Sequence, residues 1–307
     1  MTTADGLEPA LVHHIVNIPG WRDLRPLRKA AVTPLTVGHD ALLPAPTAGG
    51  KTETTCFPLL SRMHAQGWSG TSVLHVCPLK AMLNNLPPRV ETYTAWRGRT
   101  TALWHGDTPA GARRRILASR PDALLTTPEL LEAMLVSVNV DHTSFSGLRA
   151  VVVDEVHAFA GDDRGWHLLA VLERLQRVVG RSVQRVGPSA IVGNPGALLT
   201  WLQGPGAGRR PGRVVASHLS GARPTPAPVP PGDVQLDYVG SLDNAATVVG
   251  ALHRGGKRPV FCESRRLVEE LGLSPRLAEA TLSTRLADLT AATVVLTEPV
   301  RFVAARK

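Results

Sequence analysis

Aromatic side chains are scarce, making up 4% of this 307-residue chain. That argues against a surface built mainly from stacked rings, the device that grips bases without reading them. Cysteine is as sparse. Cys56, Cys77 and Cys262 lie far apart and outside any Cys-x-x-Cys pairing, so they read as reduced, mostly buried thiols rather than a disulfide framework or a thiolate metal site. No apolar run approaches the roughly 20 residues that span a bilayer. The opening MTTADGLEPALVHH lacks the basic-then-apolar order of a secretion signal, and the expectation is a cytoplasmic protein without membrane contact. Internal repeats are missing too. Acidic residues fall short of basic ones, 25 against 34, for a net charge of +9. That excess favours a polyanionic partner, because neutralising phosphates releases counterions.

What is present is material for a core, with 43% hydrophobic residues, arranged as an α/β pattern. SVLHVCP (72–78), DALLTTP (122–128) and LRAVVVDE (148–155) read as strands buried on both faces. DDRGWHLLAVLERLQRVVG (162–180) reads as a helix, with Leu168, Leu172, Leu175 and Val179 at helical spacing, Asp162 or Asp163 at its start and Gly180 at its end. In NPGALLTWL (194–202), Asn194 takes the N-cap and Pro195 the first helical position. Strands alternating with helices imply a parallel sheet flanked by helices. The expected division is an extension over 1–20, a first α/β domain over 21–203, a Pro/Gly-rich linker over 204–233 holding a short strand at RVVAS, the start of a second α/β domain over 234–271, and an atypical tail over 272–307.

Two stretches carry chemistry. APTAGGKTE (45–53) follows the short apolar run DALLPAP and precedes a helical stretch. Strand, glycine-rich turn, Lys-Thr and helix is the context of a phosphate-binding loop. Backbone amides of Ala48, Gly49 and Gly50 would face the phosphates, with Thr47 and Glu53 flanking. Lys51 would reach the β- and γ-phosphates and Thr52 would offer a hydroxyl to Mg²⁺. Ala45 stands where a first glycine is usual and Pro44 removes a ladder donor, so a plain tight turn stays open on this stretch alone. VVVDEVH (151–157) supplies the complementary half: adjacent carboxylates at a strand's carboxyl end are costly without a compensating cation. Asp154 would hold Mg²⁺ and Glu155 would orient or deprotonate the attacking water. A helix cap is the alternative for this pair alone.

Together these stretches resemble the ATPase motifs of superfamily 2 DEAD/DEAH (DExH) box helicases, with the flavour of Lhr-like and DUF1998-associated bacterial helicases. CPLKAMLNNL (77–86), WHGDT (104–108), TTPELLEAML (126–135), GPSAIVGNP (187–195) and PVFCESRRLVEEL (259–271) are similar to further motifs of that family in the same order. The resemblance implies two RecA-like P-loop domains, ATP with Mg²⁺, and single-stranded DNA or RNA as partner. It implies strand contacts for Lys80, Gly106, Asp107 and Thr127, and coupling of ATP state to strand grip for His157, Ser189 and Ala190. Arg28 stands where the related pattern has an adenine-reading glutamine, and a guanidinium only donates. Ile191 replaces a threonine whose hydroxyl would bond the Asp-Glu-Val-His stretch. Arg113, Arg114 and Arg115 read as a solvated helix face. The tail after 271 lacks the family's arginine-finger motif, a feature worth roughly 10³ to 10⁵ in rate. The expectation is therefore a truncated helicase that binds ATP far better than it hydrolyses it, or a nucleotide-gated binding module, with the missing half supplied by a partner chain or lost.

Overall fold

Proline starts both leading helices of the computed structural model. α1 (Pro9–Asn17) and α2 (Pro26–Thr36) carry it in the first turn, where its missing N–H breaks no helical bond. Glu8 caps α1 by accepting from the Ala10 and Leu11 amides. The structure describes residues 6–21, 23–46, 49–79, 82–137, 140, 142–190, 192–216, 233–238, 241–251, 260–262, 265–272, 294–297 and 301–306.

After α2 come β1 (Asp40–Pro44), α3 (Lys51–Ala65), β2 (Val73–Val76), α4 (Met82–Asn85), α5 (Pro87–Ala95), β3 (Thr101–Leu103), α6 (Ala110–Ser119), β4 (Ala123–Thr126), α7 (Pro128–Val136), β5 (Ala150–Val153), α8 (Asp163–Val179), β6 (Gln184–Ser189), α9 (Pro195–Gln203) and β7 (Gly212–Val214). The seven strands form one parallel sheet in the order β3-β4-β2-β5-β6-β1-β7. Each strand feeds both faces. Ala150 and Val152 of β5 join a core with α1, α2, α3 and α5, while Val151 and Val153 join the other with α7, α8 and α9. Burial on both sides is why these strands read as unbroken apolar runs.

The two strands of this sheet that sequence pattern leaves out fail for identifiable reasons. β3 is short and only half-buried. β6 contains Gly187 and Pro188, normally punctuators, yet it lies inside the sheet between β5 and β1. Its ladder with β5 ends at Val186, before the proline, so the missing donor costs no bond on that side. Gly187 is required by packing: a β-carbon there would lie 2.8 Å from a Leu202 methyl.

α8 begins and ends as its sequence dictates. Asp162 accepts from the Gly165 amide at 2.9 Å, and Gly180 takes a left-handed φ of 69° at the end. At Gly165 a β-carbon would fall inside the carbonyl of Phe159, so this glycine lets the loop after β5 fold back on the helix start. Gly165→Ala is expected to lower unfolding stability by about 1–3 kcal/mol through overpacking, read as a shifted denaturant midpoint.

The ordered body runs past residue 203. β7 pairs with β1, and Arg210 donates to Asp40 Oδ2 at 2.8 Å. Asp40 also accepts from the Arg185 amide at 2.7 Å and from Gln203 at 3.0 Å, which satisfies a buried carboxylate. Chain contacts divide the molecule into two units, 1–221 and 222–307. In the second, β8 (Asp233–Tyr238), α10 (Leu242–Ala251), β9 (Val260–Cys262) and α11 (Arg265–Gly272) are followed by β10 (Val294–Thr297) and β11 (Arg301–Arg306). The sheet order is β8-β11-β10-β9, with β9 and β10 parallel and β11 antiparallel to both its neighbours. The last two strands come from the tail for which sequence pattern supplies no element. Among the described residues, no helix is long and apolar enough to cross a membrane.

Candidate functional site

Because every strand of the first unit is parallel, the loops after β1, β2, β3, β4, β5 and β6 all leave the same edge of the sheet. In such folds ligands bind outside the carboxyl ends of the strands. After β1 the chain turns tightly, with the Gly49 amide bonded to the Pro46 carbonyl at 3.0 Å. A β-carbon on Gly49 would lie 2.8 Å from that oxygen, and Gly50 is left-handed at φ 79°. Glycine is thus required at both places. Thr47 and Ala48 lie outside the described residues. α3 starts at Lys51 with no side-chain cap among the described residues, and its first amides lie at the positive end of the helix dipole.

β5 delivers the acids. Asp154 continues the ladder by donating its amide to the Val76 carbonyl at 2.8 Å. Glu155 then turns into the left-handed region at φ 45°, a strained conformation for a non-glycine residue. Its amide bonds Asp154 Oδ1 at 3.1 Å, and its carboxylate meets Lys51 Nζ at 2.6 Å across 104 residues. Burial, and then the neighbouring Glu155 charge, push the Asp154 carboxyl above the usual carboxylate range. Lys51, Arg89 and the Glu155 amide compensate that charge only in part, which is the condition a divalent cation relieves. Among the described residues no three His, Cys, Asp or Glu side chains gather to hold a metal alone. Carboxylates are hard oxygen donors of the kind a cation shared with phosphate oxygens takes, as Mg²⁺ is. The glycine cradle, the helix start and the acids drawn to Lys51 fit a magnesium-bound triphosphate.

His157 sits at the junction. Its Nδ1 accepts from the Ala190 amide at 3.2 Å and lies 3.4 Å from Glu155 Oε2. An unprotonated Nδ1 bonds Ala190 and a protonated one bonds Glu155, so the two contacts exclude each other. Ser189 is buried, but its Oγ finds no hydrogen-bond partner among the described residues; the link to His157 comes from the Ala190 backbone instead. Ile191 lies outside the described residues.

Two expectations need correction. Glu53 does not turn its carboxylate to the phosphate loop. It is buried at 2% exposure and accepts from Arg28 at 3.0 Å, from the Tyr93 hydroxyl at 2.7 Å and from Arg89. Burial first, and then Glu53, push the Tyr93 hydroxyl up to about 12. Arg28 is correspondingly engaged with Glu53 and with the Trp21 ring, 4.1 Å away. The spacing of Arg89 and Tyr93, four apart on one helix face, was the available signal. Arg113 is likewise no solvated charge. It donates to the Thr108 carbonyl at 2.8 Å and the Gly106 carbonyl at 2.9 Å, so it holds the loop after β3 in shape, while Arg114 and Arg115 are exposed.

The residues expected at a nucleic-acid strand fall on the other half of the same edge. Gly106 and Asp107 are exposed on the loop after β3, and Thr127 is the N-cap of α7 after β4. After β2, Pro78 leads to Leu79, exposed at 55%; Lys80 lies outside the described residues. The strand order therefore separates β3-β4-β2 from β5-β6-β1, which carry the acids, the coupling segment and the phosphate loop. Arg164 spans the seam between the halves, donating to the Pro78 carbonyl at 2.7 Å and to Glu129 at 2.9 Å while lying over the Phe159 ring. Sequence pattern does not single it out.

Comparison with known proteins shows the family and the fold. The sequence model of the DEAD/DEAH box helicases matches residues 25–197. A Lhr helicase/probable uracil glycosylase of Mycolicibacterium smegmatis is 32% identical over 276 residues, which is 80% of this chain and 17% of that protein. The ATP-dependent helicase Lhr-Core of Methanothermobacter thermautotrophicus is 34% identical over 186 residues, 55% of this chain and 21% of that one. The chain thus spans about a fifth or less of these relatives. Among solved structures, Mycobacterium smegmatis helicase Lhr bound to ssDNA and AMP-PNP superposes with a TM-score of 0.70 at 29% identity, covering 86% of this chain and 35% of that one. The DUF1998 helicase MrfA bound to DNA, at 19% identity and a TM-score of 0.65 over 88% of this chain and 38% of that one, shares the fold. The α/β body is RecA-like.

Proposed function

The chain belongs to the DEAD/DEAH box helicase family, and from that premise we propose that it binds ATP with Mg²⁺ at the loop 49–52 and a single nucleic-acid strand along the loops after β2, β3 and β4. Movement along the strand, driven by ATP turnover, is the activity this layout serves. The observation that carries the reading is the 2.6 Å contact between Lys51 Nζ and Glu155 Oε1. It brings the loop cation and the strand-end acid into one place.

Lys51 Nζ would hold the phosphates together with the Gly50 and Lys51 amides, the Gly49 amide being used within the turn, and Thr52 and Asp154 would hold the metal. The ion neutralises phosphate charge when bound. Lys51 is shared between Glu155 and an incoming phosphate, so binding frees the Glu155 carboxylate to accept a proton from water. His157, released toward Ala190, then reports the state of Glu155 to the segment after β6. The seam at Arg164 joins the nucleotide half to the turn at Pro78.

Phosphate release, measured with and without a single-stranded oligonucleotide, tests the reading. Stimulation by the oligonucleotide is expected. ATP binding without release in either condition points instead to a nucleotide-gated binding module. Oligonucleotide affinity should also fall steeply with salt, by roughly 10³ or more between 50 and 200 mM if six or more phosphates are contacted. A flat salt profile in a binding titration would show that the surplus positive charge serves another partner.

A further inference from the structure

The first turn of α3 is gripped from two sides. Residues two apart on a helix point about 200° from one another. Lys51 accordingly reaches Glu155 at the sheet edge, while Glu53 turns toward α2 and α5. The second grip is buried: the Arg28 and Glu53 side chains are 7% and 3% exposed, with 3.0 Å between them. Arg28 touches the loop as well, since a β-carbon on Gly50 would collide with its guanidinium. Stacking on Trp21 fixes the plane of that group.

Two features of this cluster exceed what packing requires. One carboxylate faces two guanidiniums, Arg28 and Arg89, which leaves a positive charge in surplus behind the loop. Arg28 Nε is also buried and has no hydrogen-bond partner among the described residues. Desolvated cations of this kind are costly unless an anion compensates them.

We propose that Arg28 is a positioning residue for the phosphate loop, clamping Gly50 directly and the first turn of α3 through Glu53, and that its charge adds to that of Lys51 in drawing a triphosphate. This rests on the reading of 49–52 as the nucleotide site.

Titration of the full chain with a non-hydrolysable ATP analogue tests it, using Arg28→Met, Arg28→Lys and, as the control for the site, Lys51→Ala. Affinity for a single-stranded oligonucleotide without nucleotide is the second readout, because the strand loops lie on the other half of the edge. Arg28→Met should weaken the analogue about 10-fold or more, as expected for a lost charge-assisted contact, with oligonucleotide affinity unchanged. Arg28→Lys keeps the charge and loses the planar fork, so an intermediate loss supports the clamp. Unchanged analogue affinity in Arg28→Met overturns the proposal, and so does an equal loss of both affinities, which marks a general structural role. Should Arg28→Met fail to fold, Arg28→Lys decides by the same criteria. Wild-type analogue binding by Lys51→Ala would overturn the nucleotide-site reading itself, whatever Arg28 does.

Discussion

Lys51→Ala is expected to remove measurable ATP binding. The Lys51 side chain is 12% exposed and its ammonium is held by Glu155 at 2.6 Å, so it occupies a partly desolvated position at the mouth of the glycine turn. Truncating one member of such a charge pair costs about 2–5 kcal/mol, roughly 30- to 5,000-fold in affinity. The variant loses twice. The phosphates lose their cation, and Glu155 and Asp154 are left as adjacent carboxylates with less compensation. Burial already pushes Asp154 up, and Lys51 is among the groups that hold it down. Its carboxyl should therefore rise further in the variant, while the more negative pair attracts a divalent cation at least as strongly and repels the triphosphate more. Calorimetric titration with ATP, with and without Mg²⁺, reads both effects. Unchanged ATP affinity would refute the loop assignment.

Glu155→Gln should behave in the opposite way, retaining ATP and losing turnover by about 10² to 10⁴, the usual worth of a general base. Glutamine keeps the shape and can still accept from Lys51 Nζ, so the loop remains closed on the strand end. It cannot take a proton from water. Removing one of two adjacent charges also relieves Asp154, so the variant should bind nucleotide at least as well as the parent. Equal rates of phosphate release in parent and variant would contradict the assignment of Glu155 as the base.

Much of this site is legible in the sequence because local chemistry dictates it. A valine run ending in Asp154 can only be a strand buried on both faces, and Gly49 and Gly50 sit where the turn leaves no room for a β-carbon. Capping signals place the ends of α8 and the start of α9: of Asp162 and Asp163 it is Asp162 that caps, and Gly180 and Asn194 act as their type predicts. What was not legible depends on residues distant in sequence. Glu53 follows the Lys-Thr pair and so reads as part of the phosphate site, but Arg28, Arg89 and Tyr93 converge on it only in the folded chain. Arg113 looks solvated on its own helix, because the carbonyls it serves belong to the preceding loop. β6 was hidden by Gly187 and Pro188, whose usual meaning is overridden by the neighbours they meet. The scarce aromatics make the same point. Trp21, Phe57, Tyr93 and Trp96 pack together around α3, where they brace the nucleotide half from within.

An all-parallel sheet also has a second rim, at the amino ends of its strands. The turns that lead into the strands, including the exposed Arg181 and Ser182 before β6, emerge opposite both ligand halves. A surface anchor, dye or fused module attached there stands clear of nucleotide and strand alike. Optical or force measurements on an immobilised molecule can therefore follow both ligands without obstructing either.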